Sequence, residues 1–274
     1  LYESLLARTL KCKGCLENLL LDRSELDAAV GEAQASLYIE MTRHTDDHEI
    51  KAAFLRFVEE IEPKIKDISF KIDRMIVQCP FADDLDQDRY HVLLRGLEAD
   101  VKLFREENIA LEVDETKLGQ EYSELCGAMT VEFDGEEKTL PQMGPYMQEN
   151  DRDIREQAFR VVAARRLQDS EKMDEIFDKM VVLRNTMADN ADLDDYRDWA
   201  FHDKHRFDYT PETCESFHRG VLEQAVPLMH TMNAHHREAM GVDVLRPWDL
   251  DVDPLGREPL RPFNGSTELI EGTS

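Results

Sequence analysis

Apolar residues recur along this chain at intervals of three and four, the spacing that turns one stripe of a helix toward a core. From Asp46 or Asp47 the stripe runs through Phe54, Val58, Ile61, Ile65, Ile68, Ile72 and Met75. It predicts one very long helix, kinked at Pro63, because proline donates no backbone hydrogen bond. Tyr90, Leu94, Leu97, Val101 and Phe104 repeat the spacing on a neighbouring helix, which should pack as an antiparallel partner. Ser24 opens an earlier helix that runs to about Met41. Later helices are predicted over Asp151–Gln168 (Ile154, Ala158 and Val161 inward) and Ser170–Ala191 (Ile176, Met180, Leu183 and Met187 inward). A shorter one covers Asp194–Lys204. Thr210 as N-cap with Pro211 at the first helical position starts a helix to about Met240, closed by Gly241. Its seam of Phe217, Val221, Ala225, Leu228 and Met232 is expected to be buried, with His235 as a core or boundary histidine.

The period changes twice. Ala128 to Phe133 alternates as a strand does, Asp134-Gly135 is a strong hairpin turn, and Glu136 to Leu140 returns. Pro247, Pro254, Pro259 and Pro262 forbid a continuous helix near the end, so an extended connector with Trp248 tucked into the core is expected. The pattern predicts a mainly α fold of long antiparallel helices with one small β-hairpin. Its parts are a helical bundle (1–125), the hairpin (126–141), a second helical region (142–243) and a proline-rich stretch (244–274).

Composition narrows the function classes. Fifty-nine acids against thirty-three bases leave a net charge of −26, which disfavours nucleic acid as a partner. A solvated acidic surface explains that charge more simply than a basic-peptide attractor. No apolar run reaches the roughly 18 residues that a membrane span requires. Five widely spaced cysteines do not form a disulfide framework, so a reducing cytoplasm is the expected compartment.

Candidate chemistry is sparse. Cys12-Lys13-Gly14-Cys15 reads as half a zinc site, a redox pair or two ordinary cysteines. His44 and His48 are too distant in sequence to complete a zinc finger, and the βαβ context of a redox motif is missing. His48-Glu49 lacks the second histidine of H-E-x-x-H, because Ala52 stands where it would be. His235-His236 are adjacent and diverge on a helix, and His202 and His205 lack an identifiable carboxylate partner. There is no G-x-S-x-G elbow and no glycine-rich phosphate loop. Asp249, Asp251 and Asp253 alternate like a calcium loop, but the spacing to a downstream glutamate and to a central glycine is wrong for one. Within these residues we therefore expect neither a catalytic group nor a metal ligand.

Leu245-Arg246-Pro247-Trp248-Asp249-Leu250, then Asp253 and Pro259-Leu260-Arg261-Pro262-Phe263, resembles the stretch ahead of the catalytic domain in oligoendopeptidase F-type zinc metallopeptidases. The other matching pieces occur in the same order: Ser24-Glu25-Leu26, Thr45-Asp46-Asp47, Ile61-Glu62-Pro63, Arg152-Asp153-Ile154-Arg155-Glu156, Leu183-Arg184-Asn185, Asp195-Tyr196-Arg197-Asp198, Lys204 to Thr210 and Val226-Pro227-Leu228. The resemblance implies the N-terminal lobe of a helical, two-lobed zincin that cleaves short peptides inside a channel. It also implies a zinc held by an H-E-x-x-H helix and a later glutamate, downstream of these residues. On that reading 142–243 leads into the catalytic lobe and 244–274 begins it. The chain then reads as entered midway and cut before the zinc motif, its partners being short peptides and the missing catalytic part. Candidate peptide contacts are His205, Arg206, Tyr209, Arg246 and Asp249, although Arg206–Asp208 and Arg246–Asp249 read more readily as local salt bridges that fix the loops. A non-catalytic helical scaffold or peptide-binding protein is the rival.

Overall fold

The computed structural model describes residues 1–258, 260 and 262–273. Of the Pro259–Phe263 motif, Pro259 and Arg261 lie outside the described residues. The chain divides into two units that are each discontinuous in sequence: Leu1–Ala128 with Glu171–Thr210, and Met129–Ser170 with the residues from Pro211 on. Sequence patterning suggests four consecutive parts. The units instead combine distant segments, because the stretch from Glu171 to Thr210 returns to pack with earlier helical residues: Asn108 donates to the Met187 carbonyl at 3.0 Å and Arg184 to Glu115 at 2.7 Å.

Unit 1 is helical: α1 (Tyr2–Leu6), α2 (Lys13–Arg43), α3 (His48–Arg56), α4 (Glu62–Val77), α5 (Gln87–Leu103), α6 (Glu106–Gly127), α8 (Ser170–Asn190, from Glu171 on) and α9 (Tyr196–Asp203). Its largest core joins Leu5, Leu16, Leu19, Ile72, Ile76 and Leu97. Burying each of the leucine or isoleucine side chains contributes roughly 1.5–3 kcal/mol. A second cluster joins Met41 with Phe54 and Val58, and a third joins Met187, Ala188 and Trp199.

Three local rules set these helices. Asp47 and Asp86 cap α3 and α5 by accepting hydrogen bonds from backbone amides in the first turn. The helix expected from Ser24 begins earlier. Cys12 is its N-cap and accepts from the Cys15 amide at 3.2 Å, while Leu16 and Leu19 are fully buried behind it. A thiol is not among the usual caps, so the start carries no strong sequence signal. Pro63 does not break the long helix. A π-helical turn over Phe57–Ile61 precedes α4, and the Glu62 amide reaches back to the Phe57 carbonyl. The wider turn absorbs the bond that proline cannot make, and it leaves Ile61, a predicted seam position, 40% exposed.

Unit 2 opens with the hairpin. β1 (Thr130–Phe133) pairs antiparallel with β2 (Glu136–Thr139), with Thr130 opposite Thr139 and Phe133 opposite Glu136. Asp134 and Gly135 turn between them at φ of 55° and 76°, the left-handed conformations of a tight primed turn. A 3-10 segment, Pro141–Gln148, leads to α7 (Arg152–Gln168), and the core packs Val131, Met143 and Ala158 together. Farther on, α10 (Pro211–Gly220) and α11 (Val226–Met240) flank a second π-helical turn, Val221–Ala225, placed just before Pro227 as the first is before Pro63. Gly241 ends α11 at φ 66°. A short turn at Pro247–Asp249 and helix α12 (Ser266–Thr273) follow.

One expectation fails here. The seam of the helix after Thr210 is not buried among the described residues: Phe217 is 70% exposed, and Leu228 and Met232 are similarly open. Amphipathic spacing specifies a stripe but not its partner, and none of the described elements of unit 2 covers this one.

Candidate functional site

In unit 1, His205 follows the end of α9 with φ at 48°, a left-handed conformation rare for a residue with a Cβ. Its Nε2 lies 2.7 Å from the Asp100 carboxylate on α5, and its ring stacks on Phe207 with centroids 5.4 Å apart. Gly96, one turn before Asp100, makes room for the imidazole: a Cβ there would stand 3.1 Å from His205 Cε1. Asp100 is the carboxylate partner that the sequence did not reveal, because it is 105 residues away. Arg206 does not pair with Asp208. Its guanidinium lies 5.5 Å from the centre of the Phe201 ring, while Asp208 accepts from Arg95 at 3.3 Å. Tyr209 packs edge-on to Phe201 at 5.9 Å and is 41% exposed.

Asp100 also lines a cavity of about 530 Å³ within unit 1. Its wall is strongly polar: Lys66 pairs with Glu112, and Arg184 donates to Glu115 at 2.7 Å. Desolvation pushes the Asp203 carboxyl above its ordinary range, against the pull of Lys204. The Trp199 indole N–H on this wall is buried without a hydrogen-bond partner. Such a wall can hold a polar ligand, but it presents no nucleophile–base pair.

In unit 2, Arg246 and Asp249 are treated differently. Arg246 is exposed, and its backbone amide donates to Asp249 Oδ2 at 2.9 Å. Asp249 is fully buried. Its two oxygens accept both forks of Arg152 at 2.9 Å, and Oδ1 also accepts from Arg155 at 3.2 Å. Burial pushes the Asp249 carboxyl up, but the Arg152 contact, the Arg246 amide and Arg155 outweigh it and hold it at about 2. Arg155, only 1% exposed, donates further to the carbonyls of Trp248, Glu149 and Asn150. Asp249 is thus an internal anchor for the proline-rich segment, not a side chain open to a peptide. The expected place for Trp248 holds: it is 7% exposed, against Phe159 and beneath Arg160. Arg155 is the residue that sequence reasoning missed. The available signal was Arg152 and Arg155 one turn apart on the inward side of α7.

Zinc would need a cluster of ligands. Among the described residues, no group of three or more His, Cys, Asp and Glu side chains is arranged to hold a metal ion. The described residues therefore do not fit a catalytic zinc. No helix among the described residues is long and apolar enough to cross a membrane.

Comparison with known proteins assigns the fold. The chain superimposes on an oligoendopeptidase F assigned in Bacillus anthracis str. Ames (TM-score 0.86, 23% identity, 92% of this chain and 46% of that one). A second structure assigned as oligoendopeptidase F gives a TM-score of 0.88 at 23% identity, covering 93% of this chain and 45% of that one. PZ peptidase A, solved with an inhibitor, gives 0.84 at 25% identity over 90% and 44%. The chain therefore spans about half the length of these proteins. No curated protein sequence matches it. Two sequence families do: the Peptidase M3 N-terminal domain over residues 2–104, and Peptidase family M3 over residues 145–274. Both halves of the chain carry the signature of one family, and the chain belongs to peptidase family M3.

Proposed function

We propose that these residues are the N-terminal part of a zinc-dependent oligopeptidase that hydrolyses internal bonds of short peptides. The observation that carries this reading is the agreement of two independent family matches, over residues 2–104 and 145–274, with a fold shared at a TM-score of 0.88. No H-E-x-x-H occurs in the 274 residues, so on this reading they supply neither the metal ligands nor the general base. Alone, this segment holds no catalytic zinc and hydrolyses nothing. Its contribution is a helical wall that receives peptide. His205, Arg206 and Tyr209 in unit 1, and Arg246 in unit 2, offer exposed polar groups suited to peptide backbone or charged ends. Asp249 acts behind Arg246 by fixing its backbone.

The test is to read the gene past residue 274 and express the longer product. The expected result is an H-E-x-x-H in the extension, cleavage of an internally quenched short peptide, and loss of that cleavage with a chelator. The 274 residues alone should give neither zinc uptake nor turnover. A longer product with the motif but without peptidase activity would sink the reading. Peptide binding without the motif or cleavage would favour the scaffold alternative.

A further inference from the structure

Cys12 and Cys15 stand at the first turn of α2 with their sulfurs 2.6 Å apart. Cys12, in extended conformation, is the N-cap, and its sulfur accepts from the Cys15 amide. Cys12 is exposed and Cys15 partly so, which leaves the pair open to small reagents. Lys11 and Lys13 flank Cys12 in a chain whose charge is otherwise strongly negative. Behind them runs a helix of 31 residues, whose N-terminal end favours negative charge on a nearby group. The Cys12 thiol first, and then backbone hydrogen bonding at Lys11, hold the Cys15 thiol below its ordinary range. The peptidase reading proposed above assigns no role to these residues.

We propose that Cys12 and Cys15 form a reversible dithiol–disulfide site that exchanges with low-molecular-weight disulfides of the glutathione class. The Cys15 thiolate attacks one sulfur of the oxidised disulfide, whose S–S bond breaks and releases one thiolate. The Cys12 sulfur, giving its proton to solvent, then attacks Cys15 Sγ and expels the second thiolate. The protein pair loses two electrons and two protons overall, and the small disulfide gains both as two thiols. A redox C-x-x-C generally follows a strand, which is why the sequence argued against one here. What the exchange needs is two sulfurs meeting at a helix start, and that geometry is present without the strand.

The test equilibrates the folded chain in glutathione buffers from reducing to oxidising, quenches with acid, alkylates, and reads each cysteine by peptide mass. The expected result is that the peptide carrying residues 12 and 15 passes from two alkylated thiols to an unalkylated intramolecular disulfide, two hydrogens lighter than the free dithiol, with no glutathione retained. Cys12→Ser and Cys15→Ser, with unchanged circular dichroism, should each stop at a retained glutathione, since no second sulfur remains to release it. In urea the equilibrium constant for closing the pair should fall at least ~10-fold, because the folded helix start no longer holds the sulfurs together. The proposal is overturned if the pair stays reduced in the most oxidising buffer. It is equally overturned if the unsubstituted chain stops at a mixed disulfide, or if closure is as favourable in urea as in the fold.

Discussion

Replacing Asp249 by asparagine keeps the side chain's shape and removes its charge. The native carboxylate receives two bonds from Arg152, one from Arg155 and one from the Arg246 amide, at 2.9 to 3.2 Å. An amide has one acceptor oxygen and an NH₂ that donates, so at least one guanidinium N–H would face another N–H. Arg155, 1% exposed, would keep its carbonyl partners but lose its counter-charge. Removing one side of a buried pair costs about 3–5 kcal/mol. Arg152 is 39% exposed and can turn to water, which favours the lower end, about 3 kcal/mol. Urea unfolding followed by Trp248 fluorescence, in a Trp199→Phe background, reads unit 2 selectively. With a slope of about 1–3 kcal/mol per molar urea, the midpoint should fall by roughly 1–3 M. A second arm combines Arg155→Met with Asp249→Leu. The double variant should be more stable than the sum of the single losses predicts, by about 1–3 kcal/mol. A loss under about 1 kcal/mol in Asp249→Asn, or strict additivity in the cycle, would refute the assignment of a coupled buried anchor.

The same group sets a pH dependence. Its pKa falls from 3.8 in the ordinary state to about 2 in the fold. Its stabilisation should be complete above about pH 4 and lost between about pH 4 and about pH 2, so the difference in urea midpoint between parent and Asp249→Asn should shrink across that window. Gly135→Ala, at φ 76°, should destabilise unit 2 by about 1 kcal/mol, measured by thermal unfolding. A gain in stability would contradict the turn geometry. The open stripe on α10 and α11 should bind a hydrophobic dye, and Phe217→Ser with Met232→Gln should reduce that binding with little change in unfolding midpoint. Unchanged dye binding would place the apolar surface elsewhere.

Periodicity made most of the helices legible, because the positions that pack, such as Phe54, Val58, Ile176 and Met187, recur at helical spacing. Asp134-Gly135 made the hairpin legible because few dipeptides tolerate two consecutive left-handed residues. Three features were hidden for physical reasons. The start of α2 relies on a thiol cap, which propensity does not favour. The partners Asp100–His205 and Arg155–Asp249 are 105 and 94 residues apart, and a single sequence carries no record of such distances. The exposed stripe of α10 and α11 shows the converse: an apolar face is readable, but what lies against it is not.

The π-helical turns before Pro63 and Pro227 have a consequence for insertions and deletions. Each holds one residue more than an α-helix would need for the same turn. Each residue of a helix advances the facing direction by about 100°. Removing one residue from Phe57–Ile61 would let the helix wind through regularly, yet it would swing Ile72 and Ile76 away from the core they now fill. Replacing Pro63 by alanine would leave the residue count, and so the phase of that core, unchanged. The length of this segment, more than the identity of its proline, is what the packing of unit 1 has to preserve.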